Sequence, residues 1–186
     1  MSIELKNIFL HFRTITRHKN EVMKLCFKCG LYRQGLLHDL SKYSPVEFIP
    51  GVKYYQGTRS PNDIERRTEG RSSAWLHHKG RNRHHYEYWT DYVLPDGKNY
   101  NGTVGPIPMP RKYIAEMFCD RVAACKIYNG ENYDKSQPLA YINRSKDRMM
   151  IHPDTKKEII GLLTLCDKYG EDAVCRFIKE KYLKKR

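Results

Sequence analysis

Apolar residues recur every three to four positions along most of this chain, the spacing that puts them on one face of an α-helix. Ile8, Phe12, Ile15, Val22 and Leu25 follow this period near the start of the chain. No segment shows the strict alternation of apolar and polar residues that is typical of a strand. The pattern therefore predicts an all-α fold, a single-domain bundle of roughly seven helices over residues 1–186.

Glycine and proline set the boundaries of the predicted helices, because glycine favours helix ends and proline favours first turns. Residues 57–71 are predicted to be a polar loop in which Pro61 could open a short helix, and residues 94–110 to be a long loop. Gly80 is predicted to break one helix and Asn82 to cap the next. The predicted helices cover residues 3–29, 33–43, 45–56, 72–79, 83–92, 110–129, 153–169 and 171–184.

The charge of the chain favours an anionic partner. Lysine and arginine exceed aspartate and glutamate by 34 − 21, which gives a formal net charge of +13. Such a field attracts nucleotides and nucleic acids, although a high surface charge also serves solubility. Basic residues are spread along the whole chain, so the charge alone does not choose between a small phosphate-containing molecule, such as a nucleotide, and a nucleic acid.

The sequence predicts a cytoplasmic protein without a membrane partner. No apolar run reaches the length of a membrane span, and the N-terminal pattern does not resemble a signal peptide. The six cysteines are scattered and are predicted to be reduced thiols. Cys26 and Cys29 form one C-x-x-C without a second pair at zinc-finger spacing, so a structural zinc site is not favoured there.

Histidine and aspartate are the residues with the most chemistry in this sequence. Most of the eight histidines lie next to another histidine or an aspartate, and imidazoles and carboxylates are the usual ligands of zinc, iron, manganese and related ions. A single such histidine is more often a core or surface residue than a ligand. The candidates are His18, His38, Asp39, His77, His78, His84, His85 and Asp120.

Three predicted helices each direct a ligand-type group toward the core. His18 shares a helix face with Ile15 and Val22, and Asp120 shares one with Met117. A carboxylate buried on an apolar face is costly unless a cation compensates it. This convergence favours a metal site over a set of unrelated polar residues.

The order H…HD…H…H…D over successive helices resembles the HD-domain superfamily of metal-dependent phosphohydrolases. The resemblance implies an HD-like domain with a metal-site core at residues 8–130 and C-terminal packing helices at 150–184. It also implies one or two divalent transition-metal ions, drawn from Mn, Fe, Ni, Co and Zn. The residues that match the four-ligand core are His18, His38, Asp39 and Asp120.

Two-metal members of that superfamily have two further histidines between the HD pair and the last aspartate. One of His77 and His78 and one of His84 and His85 match them, with a preference for His78 and His84. Lys42, three residues after Asp39, is similar to the lysine that often follows the HD pair. It is expected to face the substrate phosphate or to hold Asp39.

Four longer motifs are similar to a branch of this superfamily found in bacteria and their phages. They are T-I-x-x-H-K at 14–19, H-D-x-S-K-x-S-P-x-E-F at 38–48, A-W-x-H-H-x-x-x-N-x-H-H-x-x-Y-W at 74–89, and M-P-x-x-Y-x-x-E-M-x-x-D at 109–120. The match extends over roughly residues 8–130. This resemblance is more informative about the architecture of the protein than about the reaction that it catalyses.

The resemblance implies an enzyme that hydrolyses a phosphate ester, such as a nucleotide, cyclic nucleotide or oligonucleotide. Catalytic roles are expected for Lys42, His77 and His85, substrate contacts for Lys19, Arg81 and Arg83, and ligand-orienting roles for Asn82, Glu87 and Glu116. Two alternatives stay open. One is an HD-type di-iron oxygenase, and the other is a basic nucleic-acid-binding or host-interaction protein with a structural metal site.

Overall fold

A computed structural model of the chain describes residues 4–92, 103–145, 147 and 149–184. Over these residues the protein is mostly helical, as predicted, with nine α-helices rather than roughly seven. They are α1 Leu5–Lys28, α2 Tyr32–Leu37, α3 Pro45–Lys53, α4 Pro61–Glu69, α5 Ser73–Arg81, α6 Arg111–Asn129, α7 Gln137–Asn143, α8 Pro153–Tyr169 and α9 Glu171–Glu180. Short 3₁₀ turns cover Leu40–Tyr43, Tyr86–Tyr88, Gly130–Asn132 and Tyr182–Lys184.

The two longest helices, α1 and α6, pack against each other through the centre of the core. They run antiparallel, because Lys126 Nζ lies 3.0 Å from Glu21 Oε1 while Cys29 Sγ lies 3.7 Å from Cys119 Sγ. Helices α7, α8 and α9 complete this side of the core. Residues that are completely buried in it are Val22, Cys26, Phe118, Val122, Ile142, Ile159, Leu163 and Ile178.

A glycine-terminated turn reverses the chain between α1 and α2. Gly30 has a φ of 78°, a conformation that glycine adopts without strain. Its amide donates to the Phe27 carbonyl at 3.1 Å, and the Leu31 amide donates to the Cys26 carbonyl at 2.8 Å. This pair of bonds is the Schellman motif, and it satisfies carbonyls that the helix end leaves open. The turn folds α2 back against α1.

Helices α3, α4 and α5 form a second group on the other side of α1. Helix α3 packs against α1, α4 and α5. The prediction that Pro61 could open a short helix is correct, since α4 begins at that residue. Gly80 does not break α5, which continues to Arg81, because a single glycine in a helix costs only about 1 kcal/mol relative to alanine.

The predicted helix over 83–92 is wrong. Asn82 does not cap a following helix, because its side-chain amide bonds backward to the His78 carbonyl at 2.9 Å. The chain instead turns through His84 and His85 into the Tyr86–Tyr88 turn and a strand, β1, at Thr90–Tyr92. Strand β1 pairs antiparallel with β2 at Val104–Pro106, so the expectation of no strand is also wrong. Residues 94–102 of the loop predicted over 94–110 lie outside the described residues.

In the described part of the chain, no helix combines the length and the apolar character needed to cross a membrane.

Replacing Phe118 by alanine is expected to lower the free energy of unfolding by about 3–5 kcal/mol, the usual effect of deleting a buried phenyl ring. Phe118 is 0% exposed at the centre of the core, so the cavity could not be filled by solvent. Urea unfolding followed by circular dichroism measures the change. Phe9→Ala is the matched control, because Phe9 is 65% exposed, and a surface change shifts the free energy by only about 0.5 kcal/mol. Equal losses in the two variants would contradict this packing.

Candidate metal centre

The chain breaks its helical course at the His38-Asp39 pair. A single helix was predicted over 33–43, but α2 ends at Leu37 and a 3₁₀ turn begins at Leu40. Asp39 has a φ of 55°, and no other non-glycine in the described residues has a positive φ. Such a backbone is uncommon outside glycine and persists where its surroundings require it. It turns both side chains inward, so that His38 is 2% and Asp39 is 1% exposed.

Four side chains from three parts of the chain lie close together at this point. They are His18 of α1, His38, Asp39, and Asp120 of α6, and we call them the first ligand set. Asp39 Oδ2 lies 3.3 Å from His38 Nε2 and 3.7 Å from His18 Nε2. Asp120 Oδ1 lies 3.0 Å from His18 Nε2 and 3.6 Å from His38 Nε2. The candidate ligand atoms of the set lie within 4.8 Å of one another, close enough to hold one ion.

The second ligand set uses the other oxygen of Asp39. Asp39 Oδ1 lies 3.3 Å from His78 Nε2 at the end of α5 and 3.5 Å from His84 Nε2 in the turn that follows. His85 completes this set, with its Nε2 atom 2.9 Å from Nε2 of His78. Asp39 therefore stands between two groups of nitrogen and oxygen donors, one on each carboxylate oxygen.

Glu116 orients one histidine in each set. Its Oε1 atom lies 3.0 Å from His38 Nδ1 and 3.2 Å from His84 Nδ1. Burial tends to raise the pKa of Glu116, but hydrogen bonds to His38 and His84 outweigh it and lower the pKa. An ionised carboxylate only accepts hydrogen bonds, so each Nδ1 donates, and Nε2 is the atom of each ring that is left to bind a metal. Both Nε2 atoms lie within 3.5 Å of Asp39.

Glu47 has the same role for His78, and sequence reasoning did not single it out. Its Oε2 atom accepts from His78 Nδ1 at 2.7 Å, and its Oε1 atom accepts from His77 Nδ1 at 2.6 Å. Glu47 lies in the first turn of α3, where an acidic residue is ordinarily explained by the helix dipole. The available signal was its place at the end of the H-D-x-S-K-x-S-P-x-E-F motif.

Five buried atoms at the centre of the two sets make no well-aligned hydrogen bond among the described residues, although Lys42 Nζ and Asp120 Oδ1 lie near some of them. They are Nε2 of His18, His38 and His84 and both carboxylate oxygens of Asp39. Buried polar atoms are costly unless they are satisfied, and here all five belong to good metal ligands that face a common region. The residues therefore fit a metal centre, and the all-nitrogen-and-oxygen donor set suits Mn, Fe, Co, Ni or Zn.

Lys42 adds a positive charge at the edge of the first ligand set. Its Nζ atom lies 2.6 Å from Asp39 Oδ2. Burial tends to raise the pKa of Asp39, but the charges of His38 and Lys42 outweigh it and hold the pKa well below its ordinary value. The pKa of Asp120 is also held well below its usual value, since hydrogen bonds to His18 and His38 outweigh its burial. Both carboxylates are therefore ionised and able to bind a cation.

The other predicted site residues divide into two groups. Asn82 lies beside the second ligand set, donating from Nδ2 to the His78 carbonyl and, at 2.8 Å, to Ser41 Oγ. His77 lies at its edge, with 17% of its side chain exposed.

Lys19, Arg81, Arg83 and Glu87 are not brought into either ligand set. Arg81 and Arg83 are exposed, and Arg83 Nη1 donates to Tyr113 Oη at 3.3 Å. Glu87 lies beside Tyr86, where its charge and hydrogen bond help burial to raise the pKa of that phenol. Its place in the mistaken 83–92 helix explains the difference, because the turn there directs His84 inward and Glu87 elsewhere.

The described residues thus form a mostly helical protein with a buried cluster of histidine and carboxylate side chains that can hold a metal ion. A model of a family of unknown function, DUF5662, matches residues 7–165, and the chain belongs to that family. No curated protein and no solved structure matches it. The matched span contains every member of both ligand sets.

Asp39→Asn is expected to weaken metal binding by more than about 100-fold, beyond the usual effect of losing a residue that only orients a ligand. Asparagine tolerates the left-handed backbone and keeps the shape of the side chain, so the change removes mainly the charge shared by the two sets. Metal content of the purified protein, measured by plasma mass spectrometry, tests this. Asp63→Asn, which changes an exposed carboxylate paired with Arg67, should keep the wild-type content. Equal content in all three proteins would refute a metal centre at Asp39.

Glu47→Gln and Glu116→Gln are expected to separate the two ligand sets. Each should weaken affinity by about 10–100-fold, as loss of a residue that orients a metal-bound histidine does. Glu47 holds a histidine of the second set only, so Glu47→Gln should weaken one binding step. Glu116 holds one histidine in each set, so Glu116→Gln should weaken both. Calorimetric titration with Mn²⁺ or Co²⁺ measures the two steps, and the same pattern in both variants would contradict the assignment.

Proposed function

We propose that this chain is a metal-dependent phosphohydrolase with an HD-like domain, holding two divalent transition-metal ions and hydrolysing a phosphate ester. The observation that carries the proposal is the position of Asp39, with Oδ2 facing the first ligand set and Oδ1 facing the second. Bound there, two ions would lower the pKa of a shared water toward neutrality and clamp the oxygens of the phosphoryl group. The six proposed metal ligands are His18, His38, Asp39, His78, His84 and Asp120. His85 is a further candidate ligand of the second set.

Lys42 supplies positive charge where a phosphoryl group would acquire negative charge. Burial tends to lower the pKa of Lys42, but Asp39 and Asp120 outweigh it and raise the pKa, so the ammonium is charged at neutral pH. A fixed charge of this kind stabilises the transition state of phosphoryl transfer without reorganising. Lys42 also holds Asp39 in place, and metal content separates that role from the catalytic one.

His77 is the better candidate for the proton donor to the leaving oxygen. It lies outside the second ligand set, is partly exposed, and shares Glu47 with the ligand His78. A histidine paired with a carboxylate is a common general acid. His85 reaches the ligand cluster itself, so we assign it to metal binding rather than to proton transfer.

The formal charge of +13 supports an anionic substrate, such as a nucleotide, cyclic nucleotide or oligonucleotide. Lys19, Arg81 and Arg83 would then attract the substrate from the rim rather than contact the reacting group. The same charge also supports the alternative hypothesis that the chain is a nucleic-acid-binding protein. Salt-sensitive nucleic-acid binding that survives Asp39→Asn, in a protein without hydrolase activity, would favour that rival.

Lys42→Met is expected to lower kcat for phosphate-ester hydrolysis by about 10²–10³-fold, the range seen when one transition-state donor is removed. Metal content should stay at the wild-type level. The assay uses p-nitrophenyl phosphate and its bis ester, with protein reconstituted separately with Mn, Fe, Ni, Co and Zn. Lys24→Met is the matched control, because the Lys24 side chain is 69% exposed and its ion-pair partner among the described residues is Glu21, which belongs to neither ligand set.

Three results would overturn the proposal. A wild-type protein that binds none of the five metals has no such centre. A metal-loaded protein that hydrolyses neither ester nor any nucleotide is not a phosphohydrolase. Bound iron with oxygen consumption and no hydrolysis would identify the di-iron oxygenase instead.

A further inference from the structure

A polar cavity with a volume of about 60 Å³ lies beside the metal centre. Lys42 and Glu47, which touch the metal-ligating residues, form its wall on that side. The remaining polar lining comes from His11 and Thr14 of α1, Tyr55, the start of α4 at Ser60 and Asn62, and Tyr128 at the end of α6. The metal centre as described uses none of these last residues.

The cavity lies two turns along α1 from the first ligand set. His11 and His18 are seven residues apart, which is about 10 Å along a helix axis. Because α6 runs antiparallel to α1, Tyr128 lies on the same side of Asp120 as His11 does of His18. Lys42 lines the cavity and also contacts Asp39, so it lies between the cavity and the first ligand set.

His11 is the most informative residue in the lining. It is 6% exposed, and its Nδ1 atom has no hydrogen-bond partner among the described residues. The ring packs between Phe48, at 5.3 Å, and Tyr55, at 5.8 Å between ring centroids. A buried imidazole nitrogen that is left unpaired beside a polar cavity is costly, and a ligand that reached it would satisfy it.

Gly51 of α3 makes room for this ring. A Cβ atom on Gly51 would lie 2.2 Å from His11 Nε2, closer than any real contact. The missing side chain therefore lets His11 approach the α3 backbone and face the cavity. Any larger residue at 51 would displace the imidazole.

The lining favours an anion. Helix α4 presents its amino-terminal end to the cavity, and the Ser60 side chain does not cap it. Pro61 has no N–H and the Asp63 amide donates to the Ser60 carbonyl, so the Asn62 amide and the Lys42 ammonium are the groups that would attract a phosphate. Glu47 is the one acidic side chain in the lining, and both of its oxygens already accept hydrogen bonds from His77 and His78. The hydroxyl of Tyr128 is available as a further donor.

We propose that this cavity binds a second phosphate group of the substrate, so that the enzyme prefers substrates with a second phosphate group remote from the one that is hydrolysed. The proposal rests on the proposed hydrolase function, but binding of the second phosphate can be measured without it. The group bound in the cavity is not hydrolysed. It fixes the distance between the reacting phosphate and the rest of the molecule.

The first test is calorimetric titration with inorganic phosphate in the Asp39→Asn background, in which the metal centre cannot take up the anion. This full-length variant should bind one phosphate. Adding Tyr128→Phe should weaken that affinity by about ten-fold, as expected for one hydrogen bond to a charged group. Adding Gly51→Ala, which displaces His11, should also weaken it. Adding Tyr169→Phe is the matched control, because Tyr169 is 58% exposed on α8 and should leave the affinity unchanged.

The second test compares nucleoside bisphosphates with nucleoside monophosphates as substrates of the metal-loaded enzyme. The bisphosphate should have a KM about ten-fold lower, and Tyr128→Phe should remove this advantage by raising the KM of the bisphosphate but not that of the monophosphate. Inorganic phosphate should compete with the bisphosphate. Phosphate that changes the rate without competing would identify a regulatory anion site and overturn the substrate role.

The failures of the two proposals are distinguishable. No phosphate binding in Asp39→Asn, or equal binding in all the variants, overturns the phosphate cavity while metal-dependent hydrolysis stands. Phosphate binding in a chain that hydrolyses no ester removes the substrate role and refutes the proposed function with it.

Discussion

The contact on which the site depends is the one between a buried aspartate and two groups of imidazoles. Asp39 is 1% exposed, and each of its carboxylate oxygens faces nitrogen atoms from different parts of the chain. A charge in that position is tolerable only with compensating cations and fixed hydrogen bonds. The left-handed backbone at Asp39 is the local consequence, because an ordinary helix through residues 38–40 would direct the two side chains of the pair apart.

The rest of the molecule keeps these groups in place. The close packing of α1 against α6 brings His18 to Asp120, and completely buried residues such as Val22 and Phe118 lie next to that contact in sequence. Two glutamates then fix the imidazole rings, Glu116 from α6 and Glu47 from α3. The geometry of the candidate metal centre therefore depends on core packing, since a shift of either helix would move a candidate ligand and its orienting partner together.

Helical periodicity was sufficient to predict part of the fold and part of the candidate metal centre. The faces of α1 and α6 indicated that His18 and Asp120 point inward, and proline and glycine located the ends of α6 and α8 closely. The helix predicted over 83–92, with Asn82 as its cap, was wrong because His84 is held in a turn by tertiary contacts. A local sequence pattern does not show that a side chain donates a hydrogen bond to a residue earlier in the chain, as Asn82 does to the His78 carbonyl.

Adjacent residues with the same chemistry were the second difficulty. His77 and His78 differ by about 100° around the helix, and only the position of α3 decides that His78 faces Asp39 while both rings contact Glu47. His11 presents the same problem in another form. It lies two turns before His18 on α1, and the sequence gives it no distinguishing neighbour, because Gly51 is forty residues further along the chain. Its burial arises only because α3, which lacks a side chain at that point, packs against α1. A functional residue whose burial depends on the packing of two helices, such as His11, can be identified only from coordinates. A residue whose orientation follows from its spacing along one helix, such as His18, can be identified from the sequence.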